Sequence, residues 1–234
     1  MQFVIAPEVF AALPTACFGV VAVKGAKPGP AAEEIRRRLA EAVESCTAAL
    51  EGVAIKQAPE IVPYREAFRA LGINPNKYPC SIEALLTRIA KGKGMPSINP
   101  LVDFGNAVSL RHRIPIGAHD MATFRDGVLE VRPARDGDRF IPFGGGEAEI
   151  PDPGEIVYVS GGEVRTRRWT WRQSEIGKIT DATDSLLFPV DGFADVNRAQ
   201  TLAARDELAA WAEELLAAEV TVGWIDAGNR VFEF

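Results

Sequence analysis

Residues 95–120 contain the side chains best suited to acid–base chemistry. Both histidines of the protein, His112 and His119, lie in this segment, and His119 is followed by Asp120. A histidine changes charge near neutral pH, so His119 could orient or activate a water molecule with Asp120 beside it. The alternative is a hydrogen-bonded histidine and a capping aspartate in a turn. His112 stands between two arginines and is expected to be solvated near the end of a helix.

Asn99, Asp103 and Asn106 are the binding candidates of the same segment. On a helix over residues 101–112 they would occupy positions i, i+4 and i+7 of one face. Asp103 is a natural partner for an ammonium group, and the amides can donate to or accept from an amino or ribose hydroxyl group. The alternative is that these residues cap helix ends and tie down the loop before Pro100, because asparagine beside proline is common at helix boundaries.

Residues 168–172, with the sequence Arg-Trp-Thr-Trp-Arg, form a second candidate region. As a strand, this segment would place Trp169 and Trp171 on one face and Arg168 and Arg172 on the other. Tryptophans can stack on a base or an aromatic amino acid, and arginines can hold phosphate. The alternative is a pair of core tryptophans with the arginines in ion pairs.

Further along the chain, Thr180 and Thr183 flank Asp181 in a predicted turn, where a structural role is the simpler interpretation. The sequence contains no GxSxG, HExxH or Walker motif and no clustered His and Cys ligands. We therefore predict neither a metal site nor a cofactor. A hydrolase of this kind would have to position a water and rely on groups of its substrate.

The composition restricts the partners. The chain has 234 residues, 47% hydrophobic, and a net charge of −6. A protein that binds nucleic acid through phosphates is usually basic or carries a basic stripe, so any RNA contact here should be modest and salt-sensitive. Such contact would come from local arginines, namely Arg111, Arg113, Arg165, Arg167, Arg168 and Arg172.

No apolar run reaches the roughly 18 residues of a membrane helix, so no membrane partner is expected. The N-terminus lacks the pattern of a signal peptide. Cys17, Cys46 and Cys80 are widely spaced and odd in number, which indicates reduced thiols and a cytoplasmic location.

The remaining pattern predicts helices first and strands second. Amphipathic periodicity predicts helices over residues 31–51 and 61–71, a helix capped by Ser81, and a closing helix over residues 199–219. Short apolar runs predict strands at residues 2–5, 15–24 and 185–190, in VLEVRPA, RFIPF, EIVYVSG and EVRTRRWTWR, and a strand or hairpin at the C-terminus. The fold class is therefore α+β.

Several segments resemble a known family. SINPLVDFGNAVSL followed by PIGAHD is similar to the N-x-x-V-D-x-x-N segment and the P-L-H-A-F-D-like turn of the tRNA-editing domain of the bacterial phenylalanyl-tRNA synthetase beta subunit. KITDATDSLLF resembles that domain's T-x-x-T-x-N-x-L-L region. YREAFRALGINPNKYPCSIEALLTRI and RRWTWRQSEIGKIT resemble small free-standing proteins built from that domain alone. The resemblance covers residues 60–195.

This resemblance implies a three-layer arrangement with an unusual β-sandwich core flanked by helices, and residues 1–234 as a single editing-domain-like unit. In the synthetase, the domain hydrolyses tyrosine mischarged onto tRNA for phenylalanine. A free-standing relative would be a trans-editing hydrolase that deacylates mischarged aminoacyl-tRNA, with tRNA and an aromatic or other small amino acid as partners, and would not be a complete ligase. The alternative is a non-catalytic module that binds RNA, a nucleotide or an amino acid. A purely structural partner is a third hypothesis.

The resemblance also suggests positions for the site. The family turn has histidine where this chain has Gly117, so His119 would act from two places further on. Glu175 is our candidate for the family's specificity-setting glutamate. In the editing hypothesis His119 positions water and Asp103 holds the α-ammonium group. The other expected contacts are pocket walls from Asn99, Asn106, Trp169 and Trp171, and acceptor-stem contacts from Arg168 and Arg172.

Overall fold

Two β-sheets face each other in the computed structural model, which describes residues 1–234, and helices cover the outer side of one sheet. The strands are β1 (Gln2–Ile5), β2 (Ala16–Lys24), β3 (His119–Asp120), β4 (Val128–Pro133), β5 (Ile156–Ser160), β6 (Glu163–Arg167), β7 (Arg172–Gln173), β8 (Leu186–Phe193), β9 (Glu219–Ile225) and β10 (Val231–Glu233). The helices are α1 (Pro7–Ala12), α2 (Ala32–Ala49), α3 (Val62–Ala70), α4 (Ser81–Ala90), α5 (Pro100–His112) and α6 (Arg198–Leu216).

The core lies between the sheets. The larger sheet has the order β10-β1-β4-β5-β6-β7, and the smaller has the order β3-β8-β2-β9. Only the β1–β4 pair is parallel. Phe3 of β1 packs edge-on against Phe18 of β2 at 6.1 Å and stacks on Tyr158 of β5 at 5.9 Å, which ties the two inner faces together. Aromatic pairs at such distances contribute stability beyond the area they bury.

Strands β2 and β8 consist almost entirely of apolar residues because both of their faces are buried. On the outer face, Phe104 of α5 packs on Phe188 of β8 at 5.6 Å. Gly19 of β2 lets α6 approach closely, since a Cβ at this position would lie 3.0 Å from the Cβ of Arg205. The predicted α+β, three-layer arrangement with a β-sandwich core flanked by helices is confirmed.

Most predicted elements form within two residues of their expected ends, and the exceptions are local. Ser81 is the first residue of α4 and makes no cap, because Cys80 takes the cap position without a side-chain bond. The RFIPF segment forms only isolated bridges. The C-terminal segment turns back at Asp226–Asn229, but its two arms, β9 and β10, join different sheets.

None of the helices is both long and apolar enough to cross a membrane. All three cysteines are free and buried. Burial raises the pKa of Cys17 and of Cys80 to about 12, so both thiols stay protonated and serve as small apolar side chains.

Candidate functional site

A small cavity of about 80 Å³ opens beside strands β3, β5 and β8. Four of the predicted site residues line it: His119, Trp169, Trp171 and Arg172. Tyr158 and Asp191, which the sequence did not single out, line it as well. The predicted acid–base histidine and part of the predicted Arg-Trp region are therefore brought together by the fold.

His119 lies in this cavity between strand β8 and the ring of Tyr158. Its backbone pairs with Leu187 of β8, and its ring stacks on Tyr158 at 5.3 Å with the planes 19° apart. The Nδ1 atom is buried and has no hydrogen-bond partner. Burial, with the nearby Arg165 guanidinium, lowers the pKa of His119 to about 3. The ring is therefore neutral at physiological pH and can orient a bound polar group, but it is a weak base.

Asp191 is the group of this cavity whose pKa lies near neutral pH. The Tyr158 hydroxyl and the Trp169 indole N–H each donate to Oδ1 at 2.6 Å, while Oδ2 accepts no hydrogen bond within the protein. Burial raises the pKa of the carboxyl to about 7, against the lowering effect of the two donors. A carboxylate with such a pKa is suited to take a proton from water.

One sequence signal could have identified Asp191. It is the only charged residue in the apolar run LLFPVDGF of β8, and it is 2% exposed. A lone acid in a buried strand is uncommon without a partner or a function. Tyr158 gave no comparable signal, because a tyrosine is ordinary in a strand.

The prediction of a strand over residues 168–172 is wrong. Residues 168–171 form a tight turn between β6 and β7, and Arg168 (φ 47°) and Trp169 (φ 59°) are both left-handed. Such backbone costs on the order of 1–3 kcal/mol per residue and persists only where surrounding contacts fix it. Here the backbone N–H groups donate to Glu155 and to the carbonyl of Ile156.

Because of this turn, the two tryptophans do not share a face. Trp169 is fully buried and donates to Asp191, whereas Trp171 is half-buried and meets the Tyr78 ring edge-on at 4.7 Å. Arg168 lies 3.9 Å from the centre of the Tyr78 ring and donates to Asp152. The arrangement combines the two sequence interpretations: one tryptophan is structural, and the other remains available at the cavity.

The predicted arginine patches are largely neutralised. Arg172 has no carboxylate partner and lines the cavity. The other five are in ion pairs: Arg111 with Glu207, Arg113 with Glu60, Arg165 with Glu163, Arg167 with Glu155, and Arg168 with Asp152. These five side chains therefore have less charge to offer a phosphate than the sequence suggested.

Asn99 and Asp103 lie outside the cavity and stabilise the start of α5. The Asn99 side chain accepts from the backbone N–H of Leu101 at 2.9 Å and donates to Asp181. Asp103 is fully buried and accepts from the N–H of Ile98 at 3.0 Å and from the Ser97 hydroxyl. This is the capping arrangement that the sequence left open as the alternative.

Asp120 also lies outside the cavity lining. Its Oδ1 accepts from the backbone N–H of Ala122 at 2.9 Å, and its Oδ2 accepts from the Thr183 hydroxyl at 2.7 Å. Thr183 in turn accepts from the N–H of Thr180 at 3.0 Å. Both carboxylate oxygens are occupied, so these three residues hold the turn after β3 in place.

Asn106 lines a second groove, of about 240 Å³, together with Phe143 and Lys178. This groove adjoins the cavity, and both are lined by Ile116, Gly117 and Gln173. Glu175 lies next to the groove, where it binds the Lys178 ammonium group and accepts from the N–H of Gly144. These contacts lower the pKa of Glu175, so it is ionised and already partnered.

This chain has Gly117 where the resembled turn has histidine, and it has its own histidine two places later, at His119. This difference has a steric explanation. A Cβ on Gly117 would lie 3.0 Å from Nε2 of His119 and 3.2 Å from Cγ of Pro189. A histidine at position 117 and the present ring at position 119 would therefore compete for the same space. His119 fills the space beside the position that carries histidine in the resembled turn.

Comparisons with known proteins agree with the motif resemblance. The family model of the B3/4 domain matches residues 63–218. The phenylalanine–tRNA ligase beta subunit of Lactobacillus johnsonii is 38% identical over 68 residues, which are 29% of this chain and 8% of that protein. The beta subunit of Symbiobacterium thermophilum is 26% identical over 144 residues, which are 62% of this chain and 16% of that protein.

The chain thus spans a small part of these relatives. Among solved structures, an N-terminal fragment of the phenylalanyl-tRNA synthetase beta subunit from Pyrococcus horikoshii is similar over 53% of this chain and 43% of its own, with a TM-score of 0.42 and 12% identity. Because the family model covers more than half of its residues, this protein belongs to the B3/4 domain family and is related to the beta subunit of phenylalanine–tRNA ligase.

Proposed function

We propose that this protein is a trans-editing hydrolase that deacylates mischarged aminoacyl-tRNA, and that the whole chain acts as one editing-domain-like unit. Membership of the B3/4 family and the likeness to tRNA ligase beta subunits support this class of substrate. The observation that carries the proposal is that Asp191, whose Oδ2 accepts no hydrogen bond, and the neutral ring of His119 line the same cavity.

The reaction is the addition of water to the ester that joins the amino acid to a ribose hydroxyl. Asp191 takes a proton from water as the water oxygen bonds to the ester carbonyl carbon. The bond from that carbon to the ribose oxygen then breaks, and the ribose oxygen receives the proton held by Asp191. The products are a free amino acid and uncharged tRNA. The neutral ring of His119, which lines the cavity, orients the water or the ester, and the high pKa of Tyr158 keeps its hydroxyl as a donor to Asp191.

The substrate would extend from the cavity into the adjoining groove. The cavity takes one end of the aminoacyl group, an aromatic or other small amino acid, and the groove with Asn106 and Phe143 takes the rest. We expect Trp171 to stack on the terminal base and Arg172 to bind a phosphate; their position at the cavity, with no carboxylate paired to Arg172, supports these roles. Modest, salt-sensitive tRNA binding follows from the net charge of −6.

The test is an ester-hydrolysis assay with purified protein and a panel of tRNAs, each charged with a labelled cognate or non-cognate amino acid. We expect release of the amino acid from at least one mischarged tRNA, and loss of release in a variant that combines His119→Ala with Asp191→Asn. Hydrolysis of no ester in the panel, together with intact tRNA binding, would contradict the proposal.

The second candidate is a non-catalytic module that binds RNA, a nucleotide or an amino acid. The low pKa of His119 favours it, because a ring that is a weak base can still hold a ligand. This candidate predicts saturable quenching of tryptophan fluorescence by uncharged tRNA or a free amino acid without turnover of any aminoacyl-tRNA.

A further inference from the structure

Five exposed cations surround the C-terminal half of α4 and the loops beside it. They are Lys56, Lys77, Arg88, Lys91 and Lys93, and we call them the α4 patch. None of them lies within ion-pair distance of a carboxylate. Arginines elsewhere, by contrast, are mostly paired. On a chain of net charge −6, the α4 patch is a local surplus of positive charge.

The patch is organised around a groove. Four of its members line one groove of about 380 Å³, and the fifth, Lys77, lies beside it with its ammonium group 5.0 Å from the centre of the Tyr78 ring. Arg88 donates to the carbonyl of Gly94 at 2.8 Å and so fixes the loop that carries Lys91 and Lys93. The groove is therefore a shaped surface and not a set of unrelated side chains.

One carboxylate also lines this groove. Glu83 is buried and bonded to the buried guanidinium of Arg65 at 2.6 Å, with one oxygen left unpartnered. The pair is neutral as a whole, so the charge of the α4 patch remains positive. Arg65 is further bonded to Asn76, which also accepts from Lys56 at 3.0 Å, and this links the buried pair to the surface cations.

A structural role explains only part of the patch. Cations near the C-terminus of a helix interact favourably with its dipole, and Arg88 does bond backbone carbonyls there. Lys91 and Lys93 make no hydrogen bond through their side chains. A groove lined by three lysines and an arginine, none of them paired with a carboxylate, is the kind of surface that binds a polyphosphate backbone.

The position of α4 connects this patch to the cavity. Ser81, the first residue of α4, lines the cavity, and its backbone N–H donates to the carbonyl of Thr170 at 2.7 Å. The helix has ten residues and so is about 15 Å long. A stacked nucleic-acid strand covers that distance in several nucleotides, at about 3.4 Å each.

We infer that the α4 patch binds the phosphate backbone of the RNA substrate and directs its aminoacylated end into the cavity beside Ser81. The phosphate contact stands on the charges alone, whereas delivery to the cavity rests on the proposed deacylase function. The patch differs from the arginines predicted from the sequence, most of which are in ion pairs.

The experiment uses the full chain and uncharged tRNA labelled with a fluorophore, with binding followed by anisotropy between low and physiological salt. The test variant is the triple substitution Lys56→Gln, Lys91→Gln and Lys93→Gln. Lys27→Gln, Arg36→Gln and Arg230→Gln form a control with the same charge change at exposed positions elsewhere. Thermal unfolding checks that both variants fold, as expected for surface substitutions.

We expect the patch variant to lose tRNA affinity at least tenfold, and the slope of log K against log salt to fall by roughly 0.7–0.9 for each lost phosphate contact. The control should stay close to wild type. Equal weakening in both variants would reduce the patch to a general charge effect and overturn the inference. Tighter binding of poly-L-glutamate than of tRNA at the patch would overturn it in favour of an acidic protein partner.

A second measurement separates this inference from the proposed function. For an aminoacyl-tRNA that the wild-type protein hydrolyses, we expect the patch variant to have a higher KM and the same kcat, because phosphate binding is remote from the ester. Unchanged KM with active wild-type protein would overturn the delivery step alone. Patch-dependent tRNA binding without any hydrolysis would overturn the deacylase function and leave the phosphate site standing.

Discussion

Two buried polar regions of this protein contain similar residue types and differ in how completely their hydrogen bonds are made. In the first, the capping network of Asn99, Asp103, Asp120 and Thr183, both aspartates accept two hydrogen bonds each. In the second, the cavity, Nδ1 of His119 and Oγ1 of Thr170 have no partner, and Oδ2 of Asp191 accepts nothing.

The difference separates structure from function. A buried polar group with all its partners stabilises the fold, whereas one left unpaired costs roughly 1–3 kcal/mol. Native structures keep few such groups, and those they keep call for an explanation. Asp191 lines the cavity, where a bound water or ligand can complete the hydrogen bonds of its Oδ2. Substitutions in the capping network and in the cavity test whether the two regions divide these roles.

The largest effect is expected from Asp191→Asn. The amide can still accept from Tyr158 and Trp169 through its oxygen, but it cannot take a proton from water. We expect deacylation to fall by about 10²- to 10⁴-fold, the usual contribution of general acid–base catalysis. The rate of amino acid release measures it. Asp195→Asn, an exposed carboxylate four residues on, is the matched control. Wild-type turnover by Asp191→Asn would remove the cavity's proposed chemistry.

Asp103→Ala should lower the stability of the fold and leave turnover unchanged, the opposite of Asp191→Asn. The substitution leaves the Ile98 N–H and the Ser97 hydroxyl without their acceptor, so we expect the free energy of unfolding to fall by about 2 kcal/mol. Denaturant unfolding measures the loss. Turnover per folded molecule should be unchanged, because Asp103 does not line the cavity. A large fall in turnover with unchanged stability would restore the original hypothesis that Asp103 binds the substrate.

The sequence predicted the elements of this fold better than the chemistry of its residues. Helix periodicity over residues 31–51 and the apolar run of residues 15–24 are local signals, and both elements form as expected. The turn at residues 168–171 carries no glycine or proline to mark it, so its left-handed backbone could not be anticipated. Contacts with distant residues impose that turn.

The cavity was hard to predict because it too is formed by residues that are distant in sequence. The two donors to Asp191, Tyr158 and Trp169, lie 33 and 22 residues away along the chain, so the fold and not a local pattern brings the group together. The capping alternative for Asn99 and Asp103 depends mainly on local partners, since Leu101, Ile98 and Ser97 lie within six residues of them. The sequence thus pointed to some of the polar residues that are buried, among them Asp103 and His119, but not to whether their hydrogen bonds would be complete.

Gly117→Ala tests how tightly the cavity holds His119. The new methyl group would lie 3.0 Å from Nε2 of His119, so the ring must shift by a few tenths of an ångström. We expect deacylation to slow by about tenfold, since misplacement by a full ångström can cost a hundredfold. Kinetics with one mischarged tRNA measure the change.

The matched comparison is between Gly117→His alone and Gly117→His combined with His119→Ala. The double variant keeps a single histidine ring, at position 117 as in the resembled turn, and removes the competing ring at position 119, so it should regain activity that the single variant loses. Equal activity of the two would show that the two side chains do not compete for this space.

The smallest effect is a pair of opposite pH dependences. Burial raises the folded pKa of Asp191 from 3.8 to about 7, so its stabilising contribution is full below pH 3.8 and is lost as the pH rises through 7. Burial lowers the folded pKa of His119 from 6.5 to about 3, so its stabilising contribution is present above pH 6.5 and is lost as the pH falls through 3.

Relative to wild type, Asp191→Asn should therefore gain stability as the pH rises from 4 to 6.5, and His119→Gln should gain stability as the pH falls over the same range. Each slope should not exceed about 1.4 kcal/mol per pH unit. Denaturant unfolding at three pH values measures both, and parallel curves for the two variants would show that the cavity does not hold its acid protonated and its histidine neutral.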